Sequence, residues 1–332
     1  MDSISNSYET ALVTGAAGFI GSHLAEKLTD HQVRVIALDN LSSGDRNNIG
    51  NTRVEFVHGD VRDSELVDAL VKKSSIVFHL AEYIPQSRDY GVGHVIKYST
   101  ENPLLDFDVG CRASLILLEK CRKYKKKMVL ASSAAVYGRS ASALLKEETP
   151  KLPSSPYGAS KLCAEIYLTL YSRLYDLPTA VVRFFNVYGP RQSKYLMYDM
   201  LCKLTKSPER IELLGTGQEE RDFVFVEDAV DATILVANNQ DRIGEVFNVG
   251  TGTATSTESV AEQILGILGI HADVKFTQTS WKGDINRLVA DAAKIRSIGF
   301  EPRYDMKDGL RELVRWYVDN HKVSWPRAPQ GR

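Results

Sequence analysis

Tyr157 and Lys161 stand four residues apart in the stretch Pro156-Tyr157-Gly158-Ala159-Ser160-Lys161. On a helix that spacing puts both side chains on one face. Pro156 disfavours helical backbone at Ser155 and itself fits a first turn, so a helix is predicted to begin here with Tyr157 in its opening turn. A phenol ionises near ~10 and is a weak base at neutral pH, but an ammonium one turn away stabilises the phenolate and lowers that value. Such a pair can take a proton from an alcohol. Tyrosines and lysines with this spacing also occur on helices that do no chemistry, so the rest of the chain decides what the pair means.

The elements that would position the pair alternate in type. Residues 10–14 are apolar, Gly15, Gly18 and Gly21 punctuate the turn that follows, and an amphipathic run continues to Leu28. Strand, glycine turn and helix in that order form a cradle for a pyrophosphate: glycines let the backbone come close, and the free N–H groups at the helix start favour an anion. The next apolar run, residues 33–38, ends at Asp39. A carboxylate there accepts from the hydroxyls of an adenosine ribose and repels a 2′-phosphate, which favours NAD over NADP. Strands are predicted at 54–57, 76–80, 128–131 and 179–185, with helices at 64–72, 104–122 and 157–175, so a doubly wound parallel sheet is expected with ligands at the carboxyl ends of its strands. Ser133 then arrives at the same sheet edge as Tyr157, where a hydroxyl donor, a phenol and a nicotinamide would converge.

From Asn186 the chain turns irregular, and later strand-like and helical stretches at 222–226, 228–237 and 245–249 suggest a return to the first domain. The expected division is a dinucleotide-binding domain at 1–185, rejoined by 223–250, and a smaller substrate-binding domain made of 186–222 and 251–332. Helices are predicted at 256–268 and 306–319.

Composition sets outer bounds. The 332 residues are 43% hydrophobic, with 41 basic against 42 acidic side chains. That balance leaves no global field to attract nucleic acid or an acidic membrane, so a phosphate-bearing ligand must be held locally. The lysine-rich run 123–127 reads as the solvated end of a helix. Residues 1–9 lack the pattern of a secretion signal, and no apolar run reaches membrane-spanning length. Cys111, Cys121, Cys163 and Cys202 show no metal-ligand spacing and read as buried free thiols, so no metal is expected and a cytoplasmic location is.

Taken together, these residues resemble the extended short-chain dehydrogenase/reductases, and among them the nucleotide-sugar epimerases and dehydratases. The resemblance runs from about Thr10 to Tyr317. It rests on Thr14-Gly-Ala-Ala-Gly-Phe-Ile-Gly21, Asp39-Asn-Leu-Ser-Ser-Gly44, Gly59-Asp-Val61, His79-Leu-Ala81, Ser132-Ser-Ala-Ala-Val-Tyr-Gly138, Tyr157-Gly-Ala-Ser-Lys161, Arg183-Phe-Phe-Asn-Val-Tyr-Gly-Pro-Arg191, Arg221-Asp-Phe-Val-Phe-Val-Glu-Asp228 and Phe247-Asn-Val-Gly250. It implies a Rossmann-type fold, NAD as cofactor, and Ser133, Tyr157 and Lys161 as catalytic residues. Cofactor contacts are implied at Gly15, Gly18, Phe19, Ile20, Gly21, Asp39, Asn40, Ser43, Gly44, Asp60, Val61, Leu80 and Ala81, with Tyr157 and Lys161 at the nicotinamide end. Asn186, Arg191, Arg221, Asp284 and Arg287 are implied, beside Ser133, to hold a nucleotide-sugar substrate. The helices at 104 and 157 are implied to build a four-helix bundle in a homodimer.

Reaction type follows from an absence within the family. Members that eliminate water carry an Asp-Glu pair where this chain has Ala134-Ala135, and decarboxylating members usually carry a Glu at the second position. The resemblance therefore implies a 4-epimerase acting on a UDP-hexose, UDP-N-acetylhexosamine or UDP-hexuronic acid. A decarboxylase or 4-ketoreductase on the same scaffold, or a dinucleotide-binding protein without turnover, are the alternatives. Three positions depart from the family pattern: Glu82 stands where a small residue is common, ahead of a longer segment at 83–101; Gly110 replaces a common Asn; and Trp281 replaces a phosphate-binding Arg. Leu288, where some epimerases carry a bulky Tyr, leaves room for an N-acetylated sugar.

Overall fold

The computed structural model describes residues 8–50, 53–83, 94–239, 243–279 and 285–325. In chain order the first part comprises β1 (Thr10–Thr14), α1 (Phe19–Asp30), β2 (Arg34–Asp39), β3 (Val54–His58), α2 (Ser64–Lys73), β4 (Ile76–His79), α3 (His94–Glu101), α4 (Pro103–Phe107), α5 (Ala113–Tyr124), β5 (Lys127–Ser133), α6 (Pro156–Tyr175) and β6 (Thr179–Phe184). There follow β7 (Asn186–Tyr188), α7 (Tyr195–Lys206), β8 (Arg210–Leu213), β9 (Glu220–Arg221), β10 (Phe223–Phe225), α8 (Val226–Asn238), β11 (Glu245–Val249), β12 (Thr255–Ser256), α9 (Thr257–Leu268), β13 (Asp273–Phe276), β14 (Arg287–Leu288), α10 (Ala293–Arg296) and α11 (Met306–His321).

Seven strands form one sheet in the order β11-β6-β5-β4-β1-β2-β3, every neighbouring pair parallel. Alternation along each strand feeds two cores. Ala11 and Val13 of β1, with Val35 and Ala37 of β2, pack on one face with α1 and α8, while Leu12, Ile36 and Leu38 pack on the other with α2, α5 and α6. Both faces are thus covered, as a parallel sheet requires. The chain moves outward from β1 to β3 on one side and from β4 to β11 on the other, which opens a crevice at the carboxyl ends of β1 and β4.

A third core joins α7, α9 and α11 through Met200, Leu204, Ile264, Leu310 and Leu313. Small sheets brace this part: β8 pairs with β13, β7 with β10, and β9 with both β12 and β14. The helix predicted at 104–122 is present but divided by a π-type turn at Asp108–Arg112. Two expectations about charge and burial need correction. Lys127, read as solvated, is buried and donates to Ala237 O, because the strand begins at it and carries its side chain under α8. Cys163 and Cys202 are only partly buried, while Cys111 and Cys121 are buried; all four are free thiols. Among the described residues no helix is long and apolar enough to cross a membrane and no side-chain cluster fits a metal ion.

Candidate active site

α6 starts where its sequence demands. Ser155, in extended backbone, caps it by accepting from Gly158 N at 3.2 Å, and Pro156 fills the first helical position. Tyr157 and Lys161 therefore face the carboxyl end of β5. The Lys161 ammonium donates to Ala131 O at 3.1 Å, and the Tyr157 hydroxyl hydrogen-bonds Ser133. Ser133 is the last residue of β5, and its Oγ also accepts from Ala135 N at 3.2 Å. A strand end and a helix start thus bring the three side chains to one point. Burial pushes the Tyr157 phenol well above its ordinary value, the nearby Glu82 carboxylate adds to that, and the Ser133 hydrogen bond opposes it.

A buried polar network fixes β5 against α6. Arg183 of β6 makes a two-pronged ion pair with Glu165 of α6, through Nε–Oε1 at 2.8 Å and Nη2–Oε2 at 2.6 Å. Glu165 Oε1 also accepts from Ser132, the neighbour of Ser133. Arg183 donates further to the Tyr137 hydroxyl, which in turn donates to Asn248 of β11. Ser132, Tyr137, Arg183 and Asn248 stand in the motifs quoted above, but Glu165 does not, and nothing in the sequence joins the five until β5, β6 and α6 are packed.

The glycine turn lies beside the pair. Gly15 has φ +70°, and a Cβ there would come within 2.8 Å of Ala81. At Gly21 a Cβ would sit 2.0 Å from Gly15 O, so a side chain at either position would force the turn apart. Asp39 takes Ala17 N at 2.9 Å and Leu41 N at 2.7 Å, leaving lone pairs for further donors. Burial raises its carboxyl. Asp60 is held by both Nε and Nη2 of Arg62 at 2.8 Å and by Asn40 at 2.9 Å, and these donors bring its carboxyl down to about 2. His79, the last residue of β4, is held between the Thr14 and Ser114 hydroxyls, and burial lowers its imidazole to about 3, so it is neutral.

The glycine turn, Asp39, Asp60, Ser133, Tyr157 and Lys161 line one cavity of about 560 Å³. Of the expected cofactor contacts, Gly15, Gly18, Phe19, Ile20, Gly21, Asp39, Asn40, Ser43, Asp60, Val61, Leu80, Ala81, Tyr157 and Lys161 are on its wall; Gly44 instead packs behind it against Ala17. Of the expected substrate contacts, Ser133, Asn186 and Arg221 line it. Asn186 is anchored to Asp222 O, and the buried Asp222 carboxylate braces this corner by accepting from Thr251, Gly252 and Ala290. Arg191 and Arg287 are not among the lining residues: Arg191 pairs with Glu26 of α1 at 2.6 Å, and Arg287 pairs with Glu220 and donates to Ala143 O. Asp284 and Trp281 lie outside the described residues.

Sequence reasoning gave no role to Gln192, Lys194 or Tyr195, which also line the cavity. Burial lowers the Lys194 ammonium to about 8. Arg191 and Tyr195 both adopt left-handed backbone, at φ +66° and +72°. Strained bulky residues cluster at functional sites, but that strain is a property of the folded backbone and leaves no mark in the sequence.

The profile of the NAD dependent epimerase/dehydratase family matches residues 11–250. The chain belongs to that family. This epimerase/dehydratase family member is 33% identical to the UDP-glucose 4-epimerase of Mycolicibacterium smegmatis, over 92% of this chain and 97% of that protein. Its fold matches a UDP-N-acetylglucosamine 4-epimerase from Methanobrevibacter ruminantium, solved with UDP-N-acetylmuramic acid, with a TM-score of 0.86 and 32% identity over 94% and 99% of the two chains. It also matches the UDP-glucose 4-epimerase of Thermus thermophilus in complex with NAD, with a TM-score of 0.81 and 32% identity over 93% and 98%. The close-packed glycine turn and the Asp39 carboxylate on the cavity wall fit the cofactor that the family uses.

Proposed function

We propose that the chain is an NAD-dependent nucleotide-sugar 4-epimerase. The observation that carries this reading is the meeting of Ser133, Tyr157 and Lys161 in the wall of a cavity where Ala134 and Ala135, not acids, stand beside them. Elimination or decarboxylation needs a further acid or base. The carboxylate that does reach the pair, Glu82, is engaged with Lys161 at 2.8 Å.

NAD held in this cavity would supply reversible hydride acceptance at C4 of the sugar. Tyr157 takes the 4-hydroxyl proton and gives it back. Ser133 hydrogen-bonds the same oxygen, and Lys161 offsets the phenolate charge. Asp39 takes the adenosine ribose hydroxyls, Asp60 and Val61 bound the adenine, and Phe19, Ile20, Asn40, Ser43, Leu80 and Ala81 complete the cofactor site, with Gly44 packed behind its wall. Asn186 and Arg221 hold the nucleotide and phosphates; Arg191, Asp284 and Arg287 complete that site on this reading, which requires Arg191 and Arg287 to leave Glu26 and Glu220 when the nucleotide sugar binds. Residues 1–185 with 223–250 serve the cofactor, and 186–222 with 251–332 the nucleotide sugar. Leu288 on the cavity wall favours room for a 2-acetamido group, so UDP-N-acetylhexosamines stand beside UDP-hexoses and UDP-hexuronic acids as substrates.

We also place the enzyme in the cytoplasm as a homodimer. Leu104, Phe107, Ile166, Leu170 and Leu174 of α4 and α6 are exposed, a larger apolar stripe than a solvated helix face needs. A dimer mass by light scattering at micromolar concentration supports the pairing, and a monomer removes it. Function is tested by incubating the pure protein, without added cofactor, with UDP-, GDP-, dTDP- and CDP-sugars. Accumulation of the C4 epimer of one of them is expected, and its loss in Tyr157→Phe. Stoichiometric demand for NAD(P)H identifies a ketoreductase instead.

A further inference from the structure

Glu82 and Gly110, separate departures from the family pattern, occupy one place in the fold. Glu82 Oε2 lies 2.8 Å from Lys161 Nζ, with the two side chains 7% and 4% exposed. A Cβ built on Gly110 would sit 3.3 Å from Glu82 Oε2, 3.5 Å from Oε1 and 3.2 Å from Ser160 Cβ. Any side chain at position 110, a methyl included, therefore competes with the carboxylate for space. The carboxylate is oriented by Tyr83 N, which donates to Oε1 at 3.0 Å, while Oε2 has no aligned hydrogen-bond donor among the described residues. Its action on Lys161 is consequently through charge.

A buried ion pair contributes little to stability, because desolvating both groups cancels much of their attraction. Its location beside the candidate base is more informative. Among the described residues the groups facing Glu82 are Lys161 and Tyr157 of α6, Asp106 of α4 and Tyr195 at the start of α7; His79, neutral, lies beyond Lys161. Lys161 is the one cation in that set, so a carboxylate against it neutralises the field that would favour the Tyr157 phenolate.

We propose that Glu82 is a positioning residue for the Tyr157–Lys161 pair, seated in the space that Gly110 leaves, where it holds the ammonium and restrains ionisation of Tyr157. The enzyme then keeps Tyr157 as a phenol until bound ligands supply positive charge or displace the carboxylate. The inference rests on the assignment of Tyr157 and Lys161 as the base pair.

The test is a spectroscopic titration of the phenolate in the near ultraviolet, each protein compared with its own Tyr157→Phe counterpart so that the difference isolates Tyr157. Glu82→Gln is expected to lower the Tyr157 midpoint by about one pH unit, and to move the acid limb of kcat/KM for epimerisation the same way. Glu82→Asp is expected to restore much of the wild-type midpoint. Gly110→Ala pushes on the carboxylate without changing any charge, and is expected to lower the midpoint by a smaller amount; it carries the test if Glu82→Gln does not fold. A midpoint unchanged or raised in Glu82→Gln, or in Gly110→Ala where that variant stands in, overturns the proposal. Absence of epimerisation with every nucleotide sugar would overturn the functional assignment, while the titration would still read out Glu82.

Discussion

The Arg183 guanidinium grips the Glu165 carboxylate with two parallel hydrogen bonds in a site from which solvent is excluded. Because Glu165 also receives Ser132, the pair sets the distance between the end of β5, which carries Ser133, and the helix that carries Tyr157. Removing one partner strands a buried charge, at a cost of roughly 3–5 kcal/mol. Arg183→Met is therefore expected to lower the urea midpoint strongly, and Glu165→Gln, which keeps an acceptor for Ser132, to cost less. Equilibrium unfolding curves for the two variants check the order.

The proposed ribose contact at Asp39 predicts an effect on the choice of cofactor. Asp39→Asn keeps the shape and an acceptor for one of the Ala17 and Leu41 amides, which are held by different carboxylate oxygens, but removes the charge that would repel a 2′-phosphate. NADP affinity relative to NAD is expected to rise about tenfold, the worth of one charged contact. Calorimetric titration of both cofactors into the cofactor-free variant measures it.

Asp106 makes stability fall with pH. Its buried carboxyl, hydrogen-bonded to Ser160 at 2.6 Å and repelled by Glu82, is raised by burial to about 6. The unfolded chain releases this proton near ~3.9. The folded state binds it more tightly, so the contribution is present in full below about 4 and is lost as pH rises through about 6. Asp106→Asn keeps an acceptor for Ser160. It is expected to raise stability by on the order of 2 kcal/mol near pH ~8 and to change it little near pH ~4. Thermal melts across that range decide.

Local signals made α6 and the central sheet legible. Ser155-Pro156 marked the helix start, and the glycine turn followed an apolar run whose alternate residues enter opposite cores, as Leu12 and Val13 do. Long-range pairings were not legible. β8 pairs with β13 far along the chain, and neither is apolar enough to announce itself. α7 does carry apolar residues at helical spacing, Met197, Met200, Leu201 and Leu204, but it lies in a stretch read as turn-rich; only the left-handed backbone of its first residue, Tyr195, leaves no mark in the sequence. In the site, Tyr157 and Lys161 were visible because one helical turn relates them. Glu82 was visible as an oddity, but its place against Lys161 depends on the fold bringing the end of β4, the π-type turn and α6 together. Arg191 and Arg287 carry the charge suited to phosphate, yet their side chains go to Glu26 and Glu220, partners that only tertiary packing reveals.

The central claim is that the hydrogen removed from C4 returns to C4. The most direct measurement incubates the enzyme with a nucleotide sugar deuterated at C4 and follows the label by NMR and mass spectrometry. Full retention of deuterium at C4 of both epimers is predicted, with none in solvent and no reduced cofactor released. Loss of label to water, or its appearance at C3 or C5, would contradict the account.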